Sequence, residues 1–104
     1  MTKNDIITKL AQEKESIETR FKLKIKGIFG SYARGDESEK SDIDILVEFE
    51  KGASLLDMID IGNYLEEKLN NKVDIVSERA LRNELKPYVY KDLIAIWIEN
   101  TNYI

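Results

Sequence analysis

The segment Asp42-Ile43-Asp44-Ile45-Leu46-Val47-Glu48-Phe49 constrains this chain more than any other. Its alternation is that of a strand: Ile43, Ile45 and Val47 share one face, and Asp42, Asp44, Leu46 and Glu48 share the other. Residues two apart in a strand point the same way, so both aspartates project from one face. Aspartate is depleted in strands, which makes two of them in one strand notable. Neighbouring carboxylates raise each other's proton affinity unless a cation sits between them. A pair of oxygen ligands is what magnesium prefers, with phosphate oxygens and water completing its shell. The plainer alternative is an exposed strand face with two solvated acids.

The rest of the chain supplies helices to pack against this strand. Ile6, Leu10, Ile17 and Phe21 fall near helical spacing, with Thr2 or Asn4 as candidate cap. Residues 23–30 read as a strand ending at Gly30, and 31–36 as a short helical turn. A helix is expected from Ser54 to Leu69. Its start resembles a capping box, Ser54 with Asp57, and Leu55, Met58, Ile59, Leu65 and Leu69 form its apolar stripe. Asn70-Asn71 is its stop, and Lys72 to Val76 is a short strand holding Asp74. Residues 78–86 suggest a helical turn, and Pro87 opens another helix. Periodicity leaves the last ten residues open between strand and helix. The fold class is therefore α/β (α+β): a small mixed sheet flanked by helices. With 104 residues, one domain over 1–104 is the expectation.

Composition narrows the chemistry. The chain has no cysteine and no histidine. That removes disulfides, thiol nucleophiles, Ser-His-Asp triads and imidazole metal sites. Any metal must take oxygen ligands, which favours magnesium, manganese or calcium. Sixteen basic against twenty acidic residues give a net charge of −4. This argues against nucleic acid as a direct partner, because such binding runs on phosphate neutralisation. The N-terminus lacks the apolar stretch of a signal peptide, and no run approaches a membrane span. A cytoplasmic location is the simplest expectation.

Two further signals join the aspartate pair. Gly30-Ser31 stands at a strand-to-helix junction, where glycine allows close approach of a ligand and the following amides and Ser31 hydroxyl can donate to an anion. Alone, such a junction is more often just a turn. Asp74 lies inside an otherwise apolar strand. If that strand lies beside 42–49, Asp74 joins Asp42 and Asp44, and three carboxylates can hold two divalent ions.

Gly30-Ser31, eleven residues to Asp42, Asp44 two further on and a third acid in a later strand together resemble the nucleotidyltransferase superfamily that includes DNA polymerase beta. The segment GSYARGDESEKSDIDILVEF resembles the signature of its smallest members, the minimal nucleotidyltransferases (MNT), and the later segments follow the same layout. The resemblance implies that Gly30 and Ser31 contact nucleotide phosphates. It also implies that Asp42 and Asp44 bind magnesium, while Asp74 helps bind the metal and activates the nucleophile. Arg34 and Gly35 match the GSxARG pattern, and Arg34 either touches the triphosphate or pairs with a nearby acid to brace the loop. Tyr32, at the variable position, is assigned to packing.

Proteins of this kind pair as antitoxins with a HEPN toxin, a ribonuclease-like protein, and transfer AMP from ATP to one of its tyrosines. That implies magnesium (two ions), ATP as co-substrate and a HEPN toxin as partner. Two alternatives stand beside it. One is a non-catalytic antitoxin that neutralises its partner by complex formation, with Tyr88, Tyr90, Trp97 and Tyr103 as anchors; core packing is the favoured role for those aromatics. The other is nucleotidyl transfer to a small molecule or an RNA end.

Overall fold

The computed structural model describes residues 1–96. Helix α1 spans Lys3–Arg20, strand β1 Leu23–Phe29, helix α2 Gly30–Arg34 and strand β2 Ile43–Phe49. Helix α3 follows at Leu55–Leu69 and strand β3 at Val73–Ser77. A 3-10 turn at Asn83–Leu85 leads into helix α4, Lys86–Asp92, and the short strand β4, Ile94–Ala95. The sheet order is β3-β2-β1-β4. Strand β1 pairs antiparallel with β2 and β4, and β2 pairs parallel with β3, so the sheet is mixed as expected. Among the described residues no helix is long and apolar enough to cross a membrane.

Local chemistry sets the element ends. The Thr2 hydroxyl accepts from the Asp5 amide and the Asp5 carboxylate accepts from the Thr2 amide, a closed capping box. Helix α3 opens on the box formed by Ser54 and Asp57 and closes at Asn70, whose φ of 50° is left-handed. Pro87 lies in the first turn of α4, where its missing N–H costs nothing.

The core lies between the sheet and the pair α1 and α3. Ile6, Leu10 and Ile17 from α1, with Phe21 just beyond its end, meet Ile43, Ile45 and Val47 from β2 and Ile61, Leu65 and Leu69 from α3. The α1 stripe and the β2 alternation match the sequence expectation, whereas the α3 stripe is rotated. Leu55 is 70% and Ile59 49% exposed. At about 100° per residue, Met58, Leu65 and Leu69 fall within roughly 80° of Ile61, but Ile59 falls about 160° away and Leu55 about 120° away. The sheet can cover only one arc of the helix, and Ile61 belongs to it. Tyr88 and Tyr90 also depart from expectation: they are 72% and 42% exposed, not core residues. Trp97 and Tyr103 lie outside the described residues.

The β4 pairing depends on Gly27, which faces Ala95 across the β1–β4 ladder. A Cβ there would stand 2.2 Å from the Ile94 carbonyl oxygen. Backbone cannot give way as a side chain can. Gly27→Ala should destabilise the protein by about 1–3 kcal/mol. A fall in Tm of at least about 4 °C in thermal unfolding checks this.

Candidate active site

The strand order decides where the acids meet. Because β3 lies directly beside β2 in parallel, Asp44 and Asp74 are register partners on neighbouring strands. On its other side Asp44 faces Phe29, the last residue of β1. Gly30 follows immediately, so the Gly30-Ser31 junction and two of the three acids gather at one end of the sheet. Asp42 stands just before β2 and is exposed, as is Asp74 on the edge strand; Asp44 is half-buried.

Burial pushes the Asp44 carboxyl up to about 6, and the nearby charges of Asp74 and then Asp42 push in the same direction; Arg34 opposes them. Negative charge therefore converges on one half-buried oxygen-donor group. Among the described residues, however, no three acidic side chains are drawn together tightly enough to form a ready chelate. Asp44 and Asp74 are the close pair, with Asp42 at the rim. This all-oxygen donor set, with its unbalanced charge, fits a hard divalent cation such as magnesium, which binds through one or two carboxylates plus phosphate and water.

Gly30 is what lets Asp44 occupy its position. Its φ is +79°, in the left-handed region, and a Cβ there would lie 2.1 Å from Asp44 Oδ2. Helix α2 then starts without a side-chain cap: Phe29 is its N-cap residue and makes no such bond. The first-turn amides of a helix have no partners within it. Together with the half-buried Ser31, they leave donors beside the acids. The α2 carboxyl end is closed by Gly35, whose amide donates to the Ser31 carbonyl at 2.9 Å.

Arg34 is engaged elsewhere. Its Nε donates to Asp36 at 3.1 Å and its Nη1 to Asp92 at 2.7 Å. Both bonds hold the guanidinium above its ordinary pKa. Of the two roles open in the sequence, this geometry is the bracing one, tying α2 to the end of α4. Tyr32 is buried, in keeping with a packing role. Asp92 and Asn71 were not legible as site-supporting residues. Asp92 lies 58 positions from Arg34, and Asn71, whose side-chain amide donates to the Tyr32 hydroxyl at 2.9 Å, reads in the sequence only as a helix stop.

Comparison with known proteins agrees with this fold. The family model for "Polymerase beta, Nucleotidyltransferase" matches residues 5–102. The protein adenylyltransferase MntA of Thermococcus cleftensis is 36% identical over 92% of this chain and 97% of its own length. A solved structure assigned to the minimal nucleotidyltransferases superposes with a TM-score of 0.77 at 37% identity, covering 90% of this chain and 95% of that one. A crystal structure of a toxin-antitoxin with AMP-PNP superposes with a TM-score of 0.67 at 27% identity, covering 93% of this chain and 73% of that one.

Proposed function

This chain belongs to the polymerase beta nucleotidyltransferase family, and from that premise we propose that it is an antitoxin enzyme that moves AMP from ATP to a tyrosine hydroxyl of a HEPN toxin, with magnesium as cofactor. The observation that carries this reading is the Asp44–Asp74 register pair set beside the uncapped start of α2. A nucleotide triphosphate and its metal need both halves of that arrangement at once. The relative named protein adenylyltransferase supports a protein acceptor, and the toxin-antitoxin relative with AMP-PNP supports an adenine nucleotide and a toxin partner.

The roles follow from placement. Gly30, Ser31 and the first amides of α2 receive phosphate oxygens. Asp42, Asp44 and Asp74 would hold the cation. When bound, magnesium supplies charge neutralisation for the α-phosphate and the departing pyrophosphate. A tyrosine hydroxyl, with an ordinary pKa near 10, must lose its proton to attack. Asp74 is exposed at the sheet edge, open to an acceptor arriving from solvent, and takes the role of proton acceptor. The new bond joins the tyrosine oxygen to the α-phosphorus, and the bond to pyrophosphate breaks. Arg34 keeps α2 in place from behind through Asp92. Positioning and charge stabilisation make up most of the catalysis. The two exposed acids leave the site open on one side, as a large protein substrate requires.

The test uses ATP labelled at the α-phosphate, added with the protein and magnesium to a lysate of the source organism. One labelled protein band is expected, absent with Asp42→Asn. Label in RNA or small molecules instead would move the assignment to another acceptor. No label and no nucleotide binding would leave neutralisation by complex formation.

A further inference from the structure

We propose that the Tyr32–Asn71 hydrogen bond is a positioning device: it sets the tilt of α2, and so of Ser31, relative to the strand that carries Asp74. The inference rests on the nucleotidyltransferase reading for its kinetic consequence but not for its mechanical one.

Helix α2 has five residues, too few to be stable alone. It follows β1 directly at Gly30, whose left-handed φ of +79° is one that glycine adopts without strain. Its direction must therefore be fixed by what its side chains hold. Arg34 fastens the far end to Asp92. Tyr32 fastens the middle: its ring is buried, and its hydroxyl accepts from Asn71 Nδ2 at 2.9 Å.

Asn71 belongs to a corner that is itself rigidly set. The preceding Asn70 is left-handed, the Val73 amide donates to the Glu66 carboxylate at 3.1 Å, and the Ile43 amide donates to the Lys72 carbonyl at 2.9 Å. Three residues after Asn71 comes Asp74, and one residue before Tyr32 comes Ser31. The bond thus links the helix that carries Ser31 to the corner that leads into Asp74. The sheet already holds Asp74 against Asp44, and α2 packs on the core through Ala33; the Tyr32–Asn71 bond ties α2 to the corner before β3.

Tyr32→Phe keeps the buried ring and removes only the acceptor oxygen. Asn71→Ala removes the donor. Two readouts are needed on each single variant and on the double. The first is amide hydrogen exchange. Asn71→Ala should speed exchange of the Gly35 and Asp36 amides, which donate to Ser31, and Tyr32→Phe should speed that of Val73, each by about fivefold. The double variant should go no further than the singles. Changes confined to the mutated side would overturn the proposal.

The second readout is transfer kinetics. The expected result is kcat lower by about fivefold in either variant, KM for ATP within about twofold and little change in Tm. A lower Tm with unchanged kcat would make the bond merely structural and defeat the positioning role. If the unmodified protein transfers no AMP while exchange is coupled as stated, the enzymatic reading fails and the mechanical one stands.

Discussion

Asp44→Asn should abolish adenylyl transfer, by at least about 10³-fold, while making the metal-free protein more stable at neutral pH. The two effects share one cause. Asp44 is the half-buried member of the acid set, and burial together with the charges of Asp74 and Asp42 raises its pKa to about 6. A carboxyl whose pKa is raised on folding favours the fold while protonated. Its contribution is fully present below the ordinary value of 3.8 and is lost as pH rises through about 6.

At pH 7.5 the ionised group therefore strains the metal-free fold, and the neutral amide relieves it. Asp44 is partly open to solvent, so screening trims the effect. A gain of roughly 4 °C in Tm is expected. Near pH 4.5 the advantage of Asn should largely vanish, because Asp44 is then protonated in the folded protein. Thermal melts at the two pH values, in chelator, measure this beside the transfer assay. A variant that loses both activity and stability would show that Asp44 is a structural residue. One that keeps activity would remove it from the site.

Gly30→Ala is expected to cost about 10²-fold in transfer with only modest loss of stability. The left-handed φ of +79° makes any side chain there strained, by about 1–2 kcal/mol. The new Cβ would also stand 2.1 Å from Asp44 Oδ2. A carboxylate oxygen is the end of a rotatable side chain, so the fold survives by turning Asp44 aside. Turning it aside displaces the donor that the site is built around.

Gly35→Ala is the control. Its φ is +85°, but nothing lies within 4 Å of a Cβ at that position. The same backbone strain should lower Tm by a similar amount and leave transfer near the level of the unmodified protein. Equal loss of activity in both variants would mean that backbone strain at the two ends of α2, and not crowding of Asp44, governs the site.

Much of this site was legible before any coordinates, for a local reason. Gly30-Ser31 and Asp42-Ile43-Asp44 are short-range patterns; a strand's two-residue period pairs Asp42 with Asp44 in the sequence, although the strand itself begins at Ile43 and Asp42 stands just before it. The cap at Ser54 was legible for the same reason, as was Thr2 as one of two candidates beside Asn4. The α3 stripe was misread because leucine and isoleucine at helical spacing say that a helix has an apolar side, but not which arc the sheet will cover. Leu55 and Ile59 are as apolar as Ile61, yet they face out. The aromatics Tyr88 and Tyr90 fail in the same way: apolar surroundings in sequence did not become burial in space.

By itself, then, the sequence determined the order of helices and strands as far as α4 and the absence of imidazole and thiol chemistry, and it marked Asp42, Asp44 and Asp74 as the candidate acids; β4 it left open. These depend on composition and on backbone periods a few residues long. Only the tertiary structure decided that β3 lies parallel beside β2 and brings Asp74 to Asp44. It alone turned Arg34 toward Asp92, and it alone joined Tyr32 to Asn71. Those pairings span 30, 58 and 39 positions. Contacts across such separations are selected by how the whole core packs, which no local period encodes.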